Sequence, residues 1–244
     1  MKKREELRFL VIEARLDNFL AQHEKDCLIR SSSLQSEQFE LYSLLEKDLP
    51  KGYEQDFDCV IIGGTGDFSV VQDRPDFYEK LLDYVRYLYE INFPILGLCY
   101  GHQILAQALG GKVITEEHEN SETGTYLMYL TEEGRKDKVL ADLPDTFYAQ
   151  EGHHDSVVAM PEDFIRLAYS DRCYWQAMRH QTKPIYGFQF HPELIKEDLV
   201  KRMRAYAHVY ASQPGQLEKV IDEIKETDNQ SAIKNFIEKV VLNN

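Results

Sequence analysis

Long hydrophobic runs are absent from this 244-residue sequence, and its first apolar segment ends at Glu13 after four residues. A segment of that length is too short for the core of a signal peptide or for a membrane span. The hydrophobic content of 43% is ordinary for a folded globular domain, which argues against disorder. We therefore expect a globular, cytoplasmic chain with one sizeable core.

An excess of positive charge is also lacking. The chain has 28 basic residues against 42 acidic ones, for a formal net charge of −14. No cluster of lysine and arginine is long enough to follow a phosphate backbone. We therefore expect no direct binding to nucleic acid or to an anionic membrane.

Cysteine is scarce, and its four positions form no CxxC pair. This spacing argues against a zinc ribbon, a dithiol redox site and a disulfide framework. Cys27, Cys59 and Cys173 are interpreted as small buried hydrophobic residues. Cys99 differs because glycines flank it in "GLCYG", residues 97–101. That pattern makes Cys99 a candidate nucleophile.

Repeated metal-ligand spacing is missing as well. The stretch "EEHENSETGTY", residues 116–126, is rich in carboxylates and contains His118. Because carboxylates and histidines do not recur there at ligand spacing, we interpret it as a solvated acidic loop. We expect no metal and no cofactor.

Short apolar runs alternate with segments of helical spacing in the first half of the chain, and this alternation indicates a parallel sheet with crossover helices. The runs lie at 8–14, 39–45, 58–64 and 94–99. Residues 112–190 contain shorter strand-like pieces, which predict a mixed or partly antiparallel extension. The expected fold class is therefore α/β, with a doubly wound, mostly parallel sheet and flanking helices.

The last fifty residues have a different pattern. A helical segment over 194–211 is followed by the breaker Gln213-Pro214-Gly215 and by two amphipathic stretches. We predict a domain over 1–195 and a C-terminal helical extension over 196–244 that packs on it.

Cys99 has the setting of a nucleophile elbow, in which the reactive residue occupies a tight turn between a strand and a helix. The thiol then lies at a helix N-terminus, where the helix dipole favours the thiolate. His191 ends an apolar strand, and strand spacing puts Glu193 on the same side as its imidazole. A carboxylate there can orient the histidine as the third member of a triad. His102, just after the elbow, is as able to face solvent as the site.

These motifs, "GLCYGHQ" and "FQFHPEL", resemble the triad type of the class I glutamine amidotransferase family. The resemblance continues through "TEEGRKDKVLADLP" and "GHHDSVVAMPEDFIRLAYS" and covers roughly residues 8–195. The combination of both motifs in this order is far more specific than either alone.

The resemblance implies a mechanism. Cys99 would attack the carboxamide of glutamine, with His191 moving the protons and Glu193 orienting His191. The γ-glutamyl thioester would then be hydrolysed by water. The backbone amides of Tyr100 and Gly64 would form the oxyanion hole, and Gln103 would help to hold the substrate.

Two parts of the pattern leave alternatives open. Thr65-Gly66-Asp67 replaces the proline common after the paired glycines in this family, so which amide of that loop faces the site is not fixed by the motif. The segment "GHHDSV", residues 152–157, is expected to place His154 or Asp155 near the site, or to be structural.

The expected function is that of a glutamine amidotransferase or glutaminase-type hydrolase. Residues 195–244 are too few for acceptor chemistry, so we expect either that a separate synthase subunit binds this chain and receives the ammonia or that the chain works alone. A γ-glutamyl amide hydrolase with the same triad is one alternative. A catalytically idle regulatory module is the other, and an intact triad argues against it.

Overall fold

The computed structural model describes residues 2–115, 121–210 and 215–244. Within these residues the strands are β1 (Phe9–Glu13), β2 (Phe39–Ser43), β3 (Cys59–Ile62), β4 (Ile95–Leu98), β5 (Lys112–Thr115), β6 (Glu122–Leu130), β7 (Thr146–His153), β8 (Asp155–Ala159), β9 (Phe164–Tyr169), β10 (Ala177–His180) and β11 (Ile185–Phe188). The α-helices are α1 (Asn18–Ser32), α2 (Tyr78–Glu90), α3 (Tyr100–Ala108), α4 (Glu132–Lys136), α5 (Lys196–Ala205), α6 (Ala207–Tyr210), α7 (Gln216–Glu223) and α8 (Ser231–Phe236).

Nine of these strands form one sheet in the order β2-β1-β3-β4-β11-β10-β9-β6-β7. The strands from β2 to β11 pair in parallel. The pairs from β11 through β10, β9 and β6 to β7 are antiparallel. The prediction of a parallel sheet with a partly antiparallel extension is therefore confirmed.

Helices cover both faces of the sheet because the central strands are apolar on both sides. In β1, Phe9 and Val11 pack in a core that includes Leu28 of α1 and Phe236 of α8. The alternate residues of β1 pack in a second core, together with residues of α2 and α3. This two-sided burial is typical of parallel strands in α/β proteins, and it confirms the doubly wound α/β class.

The C-terminal residues pack on the rest of the chain at two places. Ile221 and Ile224, from α7 and the residue after it, share a small core with Leu199 and Met203 of α5. Residues 232–241 pack in the same core as one face of the central sheet. Whether 1–195 and 196–244 form separate units stays a prediction.

The described part of the chain contains no helix that is both long and apolar enough to cross a membrane. All four cysteines are buried and free. Part of the acidic stretch at 116–126, residues 116–120, lies outside the described residues. Glu122, which belongs to that stretch, is fully buried at the start of β6, so the prediction of a solvated loop is wrong at this position.

Candidate active site

Cys99 lies in a tight turn between β4 and α3. Its backbone has φ 49° and ψ −100°, a conformation that is unusual for a residue with a side chain. The flanking glycines are needed here: a Cβ on Gly97 would lie 2.5 Å from the Gly101 carbonyl oxygen, and one on Gly101 would lie 2.0 Å from the Ile62 carbonyl oxygen. The strained turn and the close approach of helix to strand match the predicted elbow.

His191 and Glu193 follow β11 and contact each other. His191 Nδ1 lies 2.7 Å from Glu193 Oε1, and both side chains are buried. The backbone N–H of His191 donates to the Gln150 carbonyl, which attaches this segment to β7. A carboxylate that accepts from Nδ1 leaves Nε2 as the basic nitrogen of the ring.

Two arginines neutralise the carboxylates behind the histidine. Arg202 of α5 approaches Glu193 Oε1 to 3.3 Å and Glu24 Oε1 of α1 to 4.0 Å. Arg15, just after β1, contacts both carboxylate oxygens of Glu24 at 3.3 Å. We call Arg15, Glu24, Glu193 and Arg202 the arginine cluster. All four side chains are buried.

The charges of the arginine cluster keep its carboxylates ionised. Burial disfavours the charged form of Glu193, but His191 and then Arg202 outweigh this and hold its pKa at about 2. Burial likewise opposes ionisation of Glu24, and Arg15 and Arg202 lower its pKa below the usual value. His191 therefore contacts a carboxylate that stays ionised at neutral pH.

Cys99 and His191 both lie next to Gly64, in the loop after β3. A Cβ on Gly64 would lie 3.5 Å from Cys99 Cβ and 3.2 Å from His191 Cε1. Cys99 and His191 also line one small cleft together with Arg15 and Arg202. The structure thus brings together the predicted nucleophile, base and orienting carboxylate, which come from two distant segments of the chain.

A cavity of about 320 Å³ opens beside the elbow. Cys99, Tyr100 and Gln103 form one wall, and His153, His154 and Asp155 line another part. The expectation that His154 or Asp155 lies near the site is therefore confirmed. A concave cavity next to an activated side chain is the usual form of a small-molecule site.

Comparison with known proteins gives the same result as the geometry. The family model described as "Glutamine amidotransferase class-I" matches residues 27–205 of the chain. The chain belongs to the class I glutamine amidotransferase family. The elbow and the His191–Glu193 pair both lie within the matched region.

Curated GMP synthase subunits from archaea align with part of the chain. A glutamine-hydrolysing GMP synthase subunit from Methanosarcina acetivorans is 46% identical over 112 residues, 46% of this chain and 55% of the relative. The Methanococcoides burtonii protein of the same name is 34% identical over 153 residues, 59% of this chain and 78% of the relative. The chain spans about half the length of several of the curated relatives that it matches.

Solved structures show the fold of this amidotransferase chain over almost its whole length. A glutamine amidotransferase from Thermotoga maritima superposes with a TM-score of 0.77 at 18% identity, covering 97% of this chain and 98% of that one. A second, from Methylobacillus flagellatus, has a TM-score of 0.71 at 15% identity and covers 96% and 95%. At these identities the likeness concerns the fold.

The two backbone amides expected to form the oxyanion hole of the amidotransferase site, those of Tyr100 and Gly64, have different hydrogen-bond partners. The Tyr100 N–H interacts with the Cys99 sulfur, an interaction that lowers the thiol pKa. The Gly64 N–H instead donates to Glu24 Oε1 at 2.9 Å, so in this structure it is occupied by the arginine cluster. Gly64 borders Cys99 and His191, but its N–H is not free to bind an oxyanion while Glu24 accepts it.

The loop around Gly64 is anchored although it lacks proline. The Thr65 hydroxyl donates to the Ala14 carbonyl at 2.8 Å, and Asp67 accepts from the Tyr206 hydroxyl at 2.9 Å. The Tyr206 ring packs so closely that a Cβ on Gly66 would lie 2.7 Å from it. Side-chain contacts thus anchor this loop without a proline.

The expectation of a favoured thiolate is wrong for the resting site. Burial raises the pKa of the Cys99 thiol to about 12, and the charge of Glu151 adds to this. Arg15 and the Tyr100 amide act in the opposite direction but do not compensate. Because desolvation outweighs the helix dipole here, Cys99 is a thiol at neutral pH.

Two more predicted side chains have other contacts than expected. His102 faces neither solvent nor the site: it is fully buried beside Gly187, and burial lowers its pKa to about 3. The Gln103 amide donates to the Asp155 carbonyl at 2.8 Å and to Gln189 Oε1 at 3.1 Å. Gln103 thus lines the cavity while its Nε2 connects two neighbouring segments.

Sequence reasoning missed Arg15, Glu24 and Arg202. One signal for Arg202 was available, because it is spaced with Leu199 and Met203 on the apolar face of α5. An arginine on such a face requires a buried acidic partner. Arg15 and Glu24 have no comparable signal, since their pairing depends on how α1 packs against the loop after β3.

Proposed function

We propose that this chain hydrolyses glutamine to glutamate and ammonia, with Cys99 as nucleophile, His191 as acid and base, and Glu193 as the residue that positions His191. The observation that carries the proposal is the junction at Gly64, where the elbow cysteine and a carboxylate-bound histidine meet beside a cavity. Family membership and the names of the aligned relatives support the same reaction.

In the first half-reaction, Cys99 Sγ attacks the side-chain carbonyl carbon of glutamine. Because the resting thiol is protonated, its proton passes to His191 Nε2 as the sulfur–carbon bond forms. His191 then gives that proton to the departing nitrogen, the carbon–nitrogen bond breaks, and ammonia leaves. A γ-glutamyl thioester remains on Cys99.

In the second half-reaction, water attacks the carbonyl carbon of the thioester after ammonia has left. His191 takes a proton from the attacking water, the carbon–sulfur bond breaks, and the proton returns to the sulfur as glutamate is released. The negative oxygen of both tetrahedral intermediates is stabilised by the Tyr100 amide and, once it leaves Glu24, by the Gly64 amide. No cofactor enters either step.

We further propose that a separate synthase subunit receives the ammonia. The aligned relatives are each named as one subunit of a glutamine-hydrolysing GMP synthase, and a subunit works with a partner chain. The acceptor in this case would be a nucleotide precursor held by that partner. We place the pair in the cytoplasm.

Product analysis on the purified chain tests the proposal. With glutamine, the unaltered protein and Cys59→Ala should release ammonia and glutamate in equal amounts, while Cys99→Ala should release neither. Cys59 is the matched control because it is fully buried in β3, away from the cavity. Retained activity in Cys99→Ala would refute the assignment.

A panel of γ-glutamyl amides in the same assay separates the alternatives from the sequence. Preference for amides with large leaving amines would replace the proposal by a γ-glutamyl amide hydrolase. Turnover of none of them, even with the partner synthase subunit from the same genome, would indicate an idle module. Stimulation of glutamine hydrolysis by that partner subunit would support the second proposal.

A further inference from the structure

Three hydrogen-bond acceptors converge between β6 and β7. Glu122 of β6 pairs directly with His153 of β7, and Glu151 lies two residues before His153 on the same face of that strand. All three side chains are buried, and their ligand atoms lie within 4.8 Å of one another. We call Glu122, Glu151 and His153 the carboxylate cluster.

The hydrogen bonds of the carboxylate cluster leave it short of donors. Glu122 accepts from the Ser170 hydroxyl at 2.7 Å and from the Gln176 amide. Glu151 is fully buried, and neither of its oxygens has a donor at good hydrogen-bond geometry among the described residues; an interaction with the Gln176 side chain does not meet that geometry. A buried carboxylate without a donor is costly, so this group requires a positive charge or a proton.

The Nε2 of His153 lies against the two carboxylates, so a hydrogen must lie between these atoms in the metal-free protein, and a metal ion would replace it. His153 Nδ1 lies 3.0 Å from the carbonyl oxygen of Asp155, an acceptor, so Nδ1 carries the hydrogen. Its Nε2 then faces Glu122 Oε2 at 3.1 Å and Glu151 Oε2 at 3.6 Å. A histidine held through Nδ1–H on a backbone carbonyl is the usual arrangement for a metal ligand that binds through Nε2.

We propose that Glu122, Glu151 and His153 form a binding site for a divalent transition-metal cation such as Zn²⁺. Ligand atoms about 2.0–2.1 Å from a tetrahedral zinc lie roughly 3.3–3.4 Å from each other. The separations of 3.1 and 3.6 Å bracket that value. Two of the three separations therefore fit a bound zinc ion, and the third, between the Glu122 and Glu151 oxygens, is within 4.8 Å.

The kinds of ligand decide the class of metal. An imidazole nitrogen with two carboxylates suits zinc and its first-row neighbours, whereas calcium and magnesium prefer oxygen-only sites. Gln176, whose amide contacts Glu122, has a buried Oε1 with no partner among the described residues. Rotation of this amide by half a turn would bring the oxygen to the place where its Nε2 now contacts Glu122.

A second group with metal-ligand side chains provides a useful contrast. His23, Cys27 and Asp198 are also buried and close together. There, however, the Arg30 guanidinium binds Asp198 and already supplies the positive charge. Within the described part of the chain, no ion pair joins an arginine or lysine to Glu122 or Glu151.

Zinc titration of the full-length chain tests the proposal without using activity as a readout. Cys99→Ala serves as the parent protein, since a catalytic thiol beside a histidine can itself bind zinc. After dialysis against a chelator, isothermal titration should show one zinc ion per chain. Glu151→Gln in the same parent should weaken binding at least tenfold, and Glu90→Gln, on an exposed part of α2, should not change it.

X-ray absorption of the zinc-loaded Cys99→Ala protein keeps the test decisive if Glu151→Gln fails to fold. The expected shell contains only nitrogen and oxygen, with the outer scattering of one imidazole. A sulfur ligand would place the zinc at Cys27 or another cysteine and overturn the proposal. Absence of stoichiometric binding would overturn it too, and would mean that a proton on Glu151 or His153 satisfies these atoms.

The outcome is independent of the proposed hydrolysis. A chain that binds zinc here and lacks glutamine hydrolysis would support the metal site and refute the function. A chain that hydrolyses glutamine and binds no zinc would support the function and refute the metal site.

Discussion

The arginine cluster and the carboxylate cluster are both buried beside the elbow, but only the first has its charges balanced. Glu24 and Glu193 each contact a guanidinium, and both carboxyl groups have lowered pKa values. Glu151 has no such partner, and burial followed by the charge of Glu122 raises its pKa well above the usual range. Burial therefore has opposite consequences in the two places, depending on the neighbouring charge.

The balanced cluster holds His191, and the unbalanced one borders the cavity beside the elbow. Arg202 fixes Glu193, Glu193 fixes His191, and Glu24 holds the Gly64 amide. These contacts connect both catalytic loops to α1 and α5. The carboxylate cluster influences Cys99 electrostatically, because the charge of Glu151 contributes to the raised pKa of the thiol.

The largest expected difference between the clusters is in catalysis. His191→Ala removes the group that moves protons in both half-reactions, so we expect kcat to fall on the order of 10³-fold or more. His153→Ala removes the imidazole of the other cluster and should lower kcat by no more than about tenfold. Steady-state kinetics on the two variants measures this. A similar loss in both would mean that His153 also takes part in proton transfer.

Glu193→Gln should lower kcat less than His191→Ala but substantially, on the order of 10²-fold. The resting thiol is protonated and depends on a correctly oriented base, so loss of the orienting carboxylate is not offset by a preformed thiolate. KM for glutamine should change little, because Glu193 does not border the cavity. A kcat within about twofold of the unaltered protein would contradict the orienting role.

Removing one charge should have opposite effects on the stability of the two clusters. Arg202→Met leaves Glu193 and Glu24 buried with one guanidinium fewer, which should cost about 3 kcal/mol of unfolding free energy. Glu151→Gln replaces a buried carboxyl group that has no balancing cation by a neutral amide and should be neutral or stabilising in metal-free buffer. Urea unfolding with a chelator present gives both values. Destabilisation of similar size in both would show that the carboxylate cluster is also balanced.

The pH dependence of stability separates the clusters further. The folded pKa of Glu193 is below its unfolded value, so its contribution is complete above about pH 5 and is lost as the pH falls towards 2. Between neutral pH and roughly pH 3.5 this amounts to about 1 kcal/mol. Glu151 has the opposite sign, because its raised pKa stabilises the metal-free fold at low pH and that contribution is lost as the pH rises. Glu151→Gln should remove only the second dependence in unfolding curves measured across this range.

The sequence predicted those parts that depend on local pattern. Glycines at 97 and 101, an apolar strand before them and a helix after them determine the elbow within a few residues. The H-x-E spacing determines the His191–Glu193 contact in the same way. Strand alternation and helical spacing were enough for the doubly wound sheet.

The parts that the sequence did not predict depend on packing between distant elements. Glu24 meets Gly64 only because α1 lies over the loop after β3, and no spacing rule connects them. The state of the Cys99 thiol depends on how completely the site is buried and on Glu151, from a strand far along the chain. Glu122 resembled a loop residue because its neighbours are polar, although the register of β6 against β7 buries it.

The smallest expected effect concerns Gln103, which connects the surroundings of the two clusters. Its amide donates to the Asp155 carbonyl, which also accepts from His153, and to Gln189, whose own amide approaches Cys99 Sγ at 3.6 Å. Gln103→Ala should raise KM for glutamine by about three- to tenfold and leave kcat nearly unchanged, because a cavity wall contacts ground and transition states alike. Gln103→Glu keeps the size of the side chain but replaces the donating amide by a carboxylate, so it should impair KM at least as much. If kcat falls more than KM rises in either variant, Gln103 acts on the position of Cys99 through Gln189 and contributes to the transition state.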